Sequence, residues 1–318
     1  MLSINENANE HYFIFENLDE NECLCRKKAI DKKTGKFVAL SAFKIIQLEE
    51  EEEESLNMFK NRFHKYIKVV FTKKHPAILK MKKYGYGFDN SINFFTISKF
   101  YKNGNIAAST KEYLDTNGQN KDKMNPLIRS KIIFGVASAM KYLHQLNCIN
   151  ENLTLENIIL DDNFEPKIRD FSLYHYYGSP KCNLNESNYI YIAPELLKGS
   201  EFYTCLVDVY SFAFVIYKMF SNVVTFADSN SSQFSSIQYL DRIKNGERPI
   251  KPDLMPDCYW DLVTACFDED FDNRPSFAEI VDFLKFDKFA IEEFGMKTDM
   301  EKFREYKKRI SKCFIQKY

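Results

Sequence analysis

Tyr142–Leu173 reads YLHQLNCINENLTLENIILDDNFEPKIRDFSL. It overlaps the end of a strongly periodic segment, Ile128–Leu146, whose apolar spacing predicts a helix. Further toward the N-terminus, Tyr12–Phe43 reads as short strands separated by turn signals, with Asp31-Lys32-Lys33-Thr34-Gly35 the clearest hairpin turn. Six glutamates, Glu49 to Glu54, precede Met58, Phe59, Phe63, Ile67, Val70 and Phe71, a three-to-four spacing that predicts an amphipathic helix with acids at its positive end. The glutamates read as a solvated helix start, the other reading being an acidic docking tail. Strand-like segments follow near Ile78–Tyr84 and Asn93–Phe100, then a connector, Lys102-Asn103-Gly104-Asn105. On the other side of the quoted stretch, Ser211–Phe220 is apolar nearly all round, and Tyr259–Phe267 and Phe277–Leu284 read as two further helices. A small sheet-rich half followed by a larger helical half is an α+β architecture, and a ligand is expected in a cleft between two such lobes.

The chain has 318 residues, 45% hydrophobic and 28% charged, with 10 Gly and 9 Pro, the profile of an ordinary globular protein. A net charge of −1 supplies no field for nucleic acid or an anionic membrane. The longest apolar stretch, Val209–Phe220, is interrupted by Ser211 and Lys218 and falls short of the roughly 20 residues that span a bilayer. The opening MLSINENANEH lacks the features of a signal peptide. Eight scattered cysteines without a second pair at zinc-finger spacing read as free thiols in a reducing, cytoplasmic setting.

The quoted stretch resembles the catalytic loop and metal-binding segment of protein kinases, H-R-D-L-x-x-x-N followed by D-F-G. Tyr191-Ile192-Ala193-Pro194-Glu195 resembles the end of a kinase activation segment, Asp208-Val209-Tyr210-Ser211-Phe212 the buried helix after it, and Asn273-Arg274-Pro275-Ser276-Phe277 a late-lobe motif, all in the family's order and spacing. Together with Arg248-Pro249 and Cys266-Phe267 their wording is similar to the tyrosine-kinase-like and tyrosine kinase branches. The resemblance implies a two-lobed protein-kinase-like fold: an N-terminal tail over 1–11, a domain over 12–285 with a β-rich N-lobe (12–100, one regulatory helix) and a helical C-lobe (101–285), and a helical extension over 286–318. It also implies a structural ion pair between Glu195 and Arg274, with Asp208 a third structural residue.

Kinases work by positioning and charge stabilisation, so each part of that equipment can be checked in turn. The glycines of the phosphate loop fall on Asp19, Asn21 and Leu24, and the apolar residue that covers adenine falls on Arg26. Side chains then fill the space glycine leaves for phosphates, and Asp19, Glu20 and Glu22 add like charge. The phosphate-gripping lysine aligns with Ser41 and its acidic partner with Tyr66. Lys27 or Lys28 offers a substitute from the preceding strand, whereas Lys44 has the wrong parity relative to Ser41. The catalytic aspartate aligns with Asn152, and an amide is no base. Ser98, Lys99, Phe100 and Tyr101 form the linker that would meet the nucleotide. Asn157 and Asp170 keep the metal-binding positions, where they either hold Mg²⁺ or merely tie the loop and cap a turn. Weak binding of ATP and Mg²⁺ is the most this set implies.

Asp170–Glu195 carries Ser172, Tyr174, Tyr176, Tyr177, Ser179, Ser187, Tyr189 and Tyr191 as possible phosphosites, but the usual arginine receiver is Glu151, which repels phosphate. Past Leu284, aromatic and aliphatic residues among lysines predict one or two helices that pack on the large lobe or, in the other reading, bind a partner. The resemblance with its losses implies a pseudokinase that serves as a scaffold for other signalling proteins or kinases. The alternatives are an unconventional active Ser, Thr or Tyr kinase and a nucleotide sensor.

Overall fold

Cross-strand register sorts the side chains of the first part of the chain onto two faces. The computed structural model describes residues 3–4, 8–20, 24–44, 53–88, 91–119, 121–171, 189–199, 204–226 and 235–312. Strands β2 (Tyr12–Glu20), β3 (Leu24–Asp31), β4 (Phe37–Phe43), β5 (Met81–Phe88) and β6 (Ser91–Lys99) form an antiparallel sheet in the order β5-β6-β4-β3-β2, with β1 (Ser3–Ile4) added in parallel beside β5. Directly opposed residues share a face, and successive residues alternate between faces. Ala29, Val38, Leu40, Ala42, Phe95 and Ile97 make the core of one face with Tyr12, and Ala8 from the short helix α1 (Ala8–His11) packs into them. Arg26 lies opposite Ser41, Lys28 opposite Ala39, and Ser41 opposite Thr96, so these occupy the other face.

The hairpin at Asp31 forms because its carboxylate accepts from the backbone N–H groups of Lys33 and Thr34 at 3.0 and 2.9 Å, while Gly35 takes the left-handed conformation (φ +67°) that closes the turn. The residues before Tyr12, expected as a tail, instead supply β1 and α1. The strand expected from Ile78 starts at Met81, because Ile78 makes an isolated bridge with Ile168. Helix α2 (Glu53–Thr72) buries Phe63, Ile67 and Val70; Glu49–Glu52 and the side chains of Glu53, Glu54, Met58 and Phe59 lie outside the described residues.

The chain forms two compact units, the sheet with α2 and a larger helical unit that takes in His75–Ile78 as well as residues 103–171 and 186–318. That short insert is bound by backbone: Ile168 donates its N–H to the Ala77 carbonyl at 2.8 Å, and Lys167 donates to the Pro76 carbonyl at 2.7 Å. The helical unit contains α3 (Ile106–Asp115), α4 (Pro126–Gln145), α5 (Pro194–Leu197), α6 (Leu206–Phe220), α7 (Ser236–Lys244), α8 (Asp257–Cys266) and α9 (Phe277–Leu284). Helix α4 starts where Asn125 accepts from the Ile128 N–H at 3.0 Å with Pro126 in the first turn, and α9 starts with a capping box between Ser276 and Glu279. Nearly every residue of α6 is buried, as its apolar composition requires, and it begins at Leu206, ahead of the expected Ser211. The sheet-rich beginning and helical remainder match the α+β class.

Past α9, the segment expected to hold one or two helices holds, among the described residues, a short hairpin, β7 (Glu292–Glu293) with β8 (Met296–Lys297), and one α-helix, α10 (Met300–Ser311). Both lie on α4: Ser130 Oγ and Thr298 Oγ1 are 3.1 Å apart, the Ile291 N–H donates to Ser130 Oγ at 3.3 Å, and Phe303, Tyr306 and Ile310 are buried. Gly135 makes this approach possible, since a Cβ there would collide with the Tyr306 hydroxyl. No helix among the described residues is long and apolar enough to cross a membrane. Cys25, Cys148, Cys205, Cys258 and Cys266 are free thiols.

Candidate functional site

In the sheet unit, Asp19, Arg26, Ser41 and Thr96 stand opposite one another across four strands as one row. The Arg26 side chain is buried and forms an ion pair with Asp19. The cation beside Ser41 is therefore Arg26, whereas Lys27 lies opposite Leu40 and so faces the other way. The sequence places Arg26 only at the adenine-covering position; strand parity signals that it shares the Ser41 face, and the register of β2 on β3 adds its pairing with Asp19. Lys28 shares the Ser41 face but pairs with Glu16 at 3.0 Å and lies over the rings of Phe15, Phe37 and Phe100 at 5.4, 5.2 and 4.9 Å. Lys44 pairs with Glu20 at 2.6 Å.

Leu24, expected from the sequence at a glycine position of the phosphate loop, is fully buried opposite Phe43 and is a core residue. Asn21 and Glu22 lie outside the described residues. Tyr66, expected at the position of the acidic partner, is also fully buried in an aromatic cluster, its ring 5.3 Å from Phe43 and 6.3 Å from Phe63. Of the linker residues, Ser98 is buried opposite Ala39, Phe100 packs against Phe37 with ring centroids 6.3 Å apart, and the exposed Lys99 lies 4.7 Å from the Tyr101 ring.

In the helical unit, the Asp208 carboxylate accepts from the backbone N–H groups of Asn150 and Glu151, both at 2.8 Å, and sits 2.7 Å from His144 Nε2. Burial opposes a charge on the His144 ring, but hydrogen bonds and charge from Asp208 and Cys205 outweigh it and raise the pKa to about 9. A raised pKa gives stability that is complete below the unfolded value of roughly 6.5 and is lost as pH climbs through 9. The stability gap between wild type and His144→Gln is accordingly expected to shrink by about 3 kcal/mol between pH 6 and pH 10, read from urea unfolding at each pH. A gap independent of pH would show that His144 is neutral in the folded protein.

From this anchor the loop runs through Glu151 with φ +62°, a left-handed conformation that costs a non-glycine residue energy, so the Asp208 bonds hold a strained backbone. The Asn152 N–H donates to Asn150 Oδ1 at 3.1 Å, Asn152 Nδ2 donates to the Asp170 carbonyl at 2.9 Å, and Asn157 Nδ2 donates to the Asn152 carbonyl at 3.1 Å. Asp170, 1% exposed and also left-handed at φ +54°, has Arg169 Nε 3.4 Å from its Oδ2. Arg169 further donates to the Glu156 carbonyl at 3.0 Å. A hard dication prefers several oxygen ligands. Asp170 offers one carboxylate shared with a guanidinium, and Asn157 offers one amide oxygen, since the group that ties the loop is its Nδ2; two donors are a sparse set for Mg²⁺. No group of three or more potential metal-ligating His, Cys, Asp or Glu residues occurs among the described residues.

Arg274 donates to both oxygens of Glu195 at 2.7 and 2.9 Å, and also to the carbonyls of Asp268 and Leu206. Ser211 Oγ donates to the Tyr191 carbonyl at 2.7 Å, and Tyr191 is buried, which removes it from the accessible phosphosites. Tyr189 is partly exposed; Ser172, Tyr174, Tyr176, Tyr177, Ser179 and Ser187 lie outside the described residues.

A β-rich unit, a helical unit and a catalytic-loop backbone anchored on a buried helix define the protein-kinase class. The family model for protein tyrosine and serine/threonine kinases matches residues 27–284, and the chain belongs to that family. A probable serine/threonine-protein kinase of Dictyostelium discoideum is 26% identical over 76% of this chain and 16% of its own length. A probable LIM domain-containing serine/threonine-protein kinase of the same organism is 32% identical over 66% of this chain and 30% of its own. A dual specificity protein kinase, also from Dictyostelium discoideum, is 32% identical over 51% of this chain and 12% of its own. The chain thus matches less than a third of the length of each of these relatives.

Proposed function

We propose that this chain is a pseudokinase of the tyrosine-kinase-like branch: a cytoplasmic kinase-shaped module that binds other signalling proteins or kinases and takes up ATP and Mg²⁺ weakly or not at all. The observation that carries this reading is the Asp19–Arg26–Ser41 row. Where a kinase needs a free cation for phosphate, the cation present is paired with a carboxylate at a glycine position of the loop. Nucleotide has to compete with that carboxylate, and Asp19 itself repels a triphosphate. The Asn152 amide, which donates to Asp170, cannot take a proton from a substrate hydroxyl, and loss of such a base typically removes about a hundred- to ten-thousand-fold in rate. The tyrosine-kinase-like assignment rests on the motif wording around Arg248-Pro249 and Asn273–Phe277, and the domain is taken as 12–285.

A second reading, an active kinase with relocated groups, draws support from Arg26 itself, a guanidinium beside the vacated lysine position. Thermal unfolding with millimolar ATP, with and without Mg²⁺, separates the two. A ligand present at its Kd adds only about 0.4 kcal/mol, so the pseudokinase reading expects a shift under about 1 °C and no Mg²⁺ dependence. A shift of several degrees that requires Mg²⁺ would defeat it, and a transfer assay would then separate the active kinase from the nucleotide sensor.

A further inference from the structure

A cavity of about 140 Å³ opens in the helical unit between α4, α9 and the end of α10, lined among others by His75, Lys141, Tyr142, Val281, Lys285 and Ile310. Its inner wall is apolar and aromatic, and the His75 ring leans on Tyr142 with centroids 5.6 Å apart and 31° between the planes. His75 is only 8% exposed, and its Nδ1 accepts the Ala77 N–H at 3.1 Å. Burial, with Lys167 nearby, pushes the His75 pKa down to about 4, so the ring is neutral near pH 7. A neutral ring that accepts at Nδ1 carries its proton on Nε2, which makes that nitrogen a donor. Lys141 and Lys285 add two ammonium groups, of which Lys285 shares an exposed pair with Asp282 at 2.6 Å. Such exposed pairs are weak, so Lys285 can be shared with a second carboxylate at little cost.

We propose that this cavity is a binding site for a monocyclic aromatic carboxylate, with the ring among Tyr142, Val281 and Ile310 and the carboxylate at Lys141 and Lys285. Size supports the ring, because an apolar cavity of about 150 Å³ takes up one benzene molecule. Charge supports the acid: the described lining residues include Lys141 and Lys285 and no carboxylate, and the Asp282 carboxylate that pairs with Lys285 leaves a net positive rim. Lys141 and Tyr142 lie on α4, ahead of the Asn150–Asn157 loop, so the site stands whether or not the domain transfers phosphate.

Benzoate, benzyl alcohol and acetate serve as probes against the full chain, with binding read by saturation-transfer NMR and by thermal shift. Benzoate is expected to bind with a Kd of roughly 1 mM, in keeping with its small number of atoms, and the other two much more weakly. The double variant Lys141→Gln/Lys285→Gln, at two partly exposed positions that leave the core intact, is expected to weaken benzoate about tenfold and leave benzyl alcohol unchanged. Equal binding of benzyl alcohol and benzoate, benzoate binding unaltered in the double variant, or no benzoate binding at any attainable concentration would each overturn the proposal.

Discussion

Glu293→Gln is expected to cost about 3–5 kcal/mol and to lower the melting temperature by roughly 10 °C, although the residue lies outside the matched kinase segment. Glu293, in the hairpin after α9, forms an ion pair with Arg129 of α4, and the two side chains are 3% and 0% exposed. Arg129 also donates to the Met219 carbonyl and lies 4.3 Å from the Phe220 ring and 5.6 Å from Tyr113. Burial brings the guanidinium's pKa down to about 10, partly opposed by Tyr113 and Tyr259, and so leaves it charged at neutral pH. An amide at 293 strands that charge in the interior. The double change Arg129→Met/Glu293→Leu removes both charges together and should recover most of the loss. Denaturant unfolding of the three variants checks this, and a single-variant loss below about 1 kcal/mol would mean that water reaches the pair.

The wild-type chain is expected to show no phosphoryl transfer above background, and the triple variant Arg26→Val/Ser41→Lys/Asn152→Asp to gain at least about a hundredfold. The three changes act on separate needs: room on the strand, a cation free for phosphate, and a base. The gain stays partial because Tyr66 supplies no acid for the new lysine and Arg169 remains against Asp170. Radiolabelled ATP with a generic protein acceptor measures it. Wild-type turnover near 1 s⁻¹, ordinary for a kinase, would contradict the pseudokinase reading outright.

Much of the fold was legible in the letters because the catalytic loop, the buried helix and the late motif each carry several diagnostic residues at fixed spacing. The Phe277–Leu284 helix was legible to the residue from its apolar pattern, and the structure shows a capping box at Ser276 and Glu279 that fixes its start. Strand β1 was not, since two residues make no pattern; nor were α3 and α7, whose burial is set by distant partners. The role of Arg26 required the register of β2 on β3, and that pairing is shifted at Ile14/Glu16 and at Asn17/Asp19, so counting along the sequence gives no reliable partner. Arg129–Glu293 is a contact across 164 residues that no local signal announces. The residue types at Ser41, Tyr66 and Asn152, on which the proposed loss of function rests, were readable in the letters; their surroundings had to be seen in space.

The insert His75–Ile78 gives the protein a laced rather than a modular chain. Its backbone supplies acceptors to Ile168 and Lys167 of the helical unit, yet it lies in sequence between α2 and β5 of the sheet unit. A fragment that starts at Asn103 lacks the carbonyls those donors use, and one that stops at Lys102 carries an insert with nothing to dock on. Swapping another N-lobe onto this chain at that junction would import a foreign version of the insert as well, set against the native Ile168 and Lys167 donors.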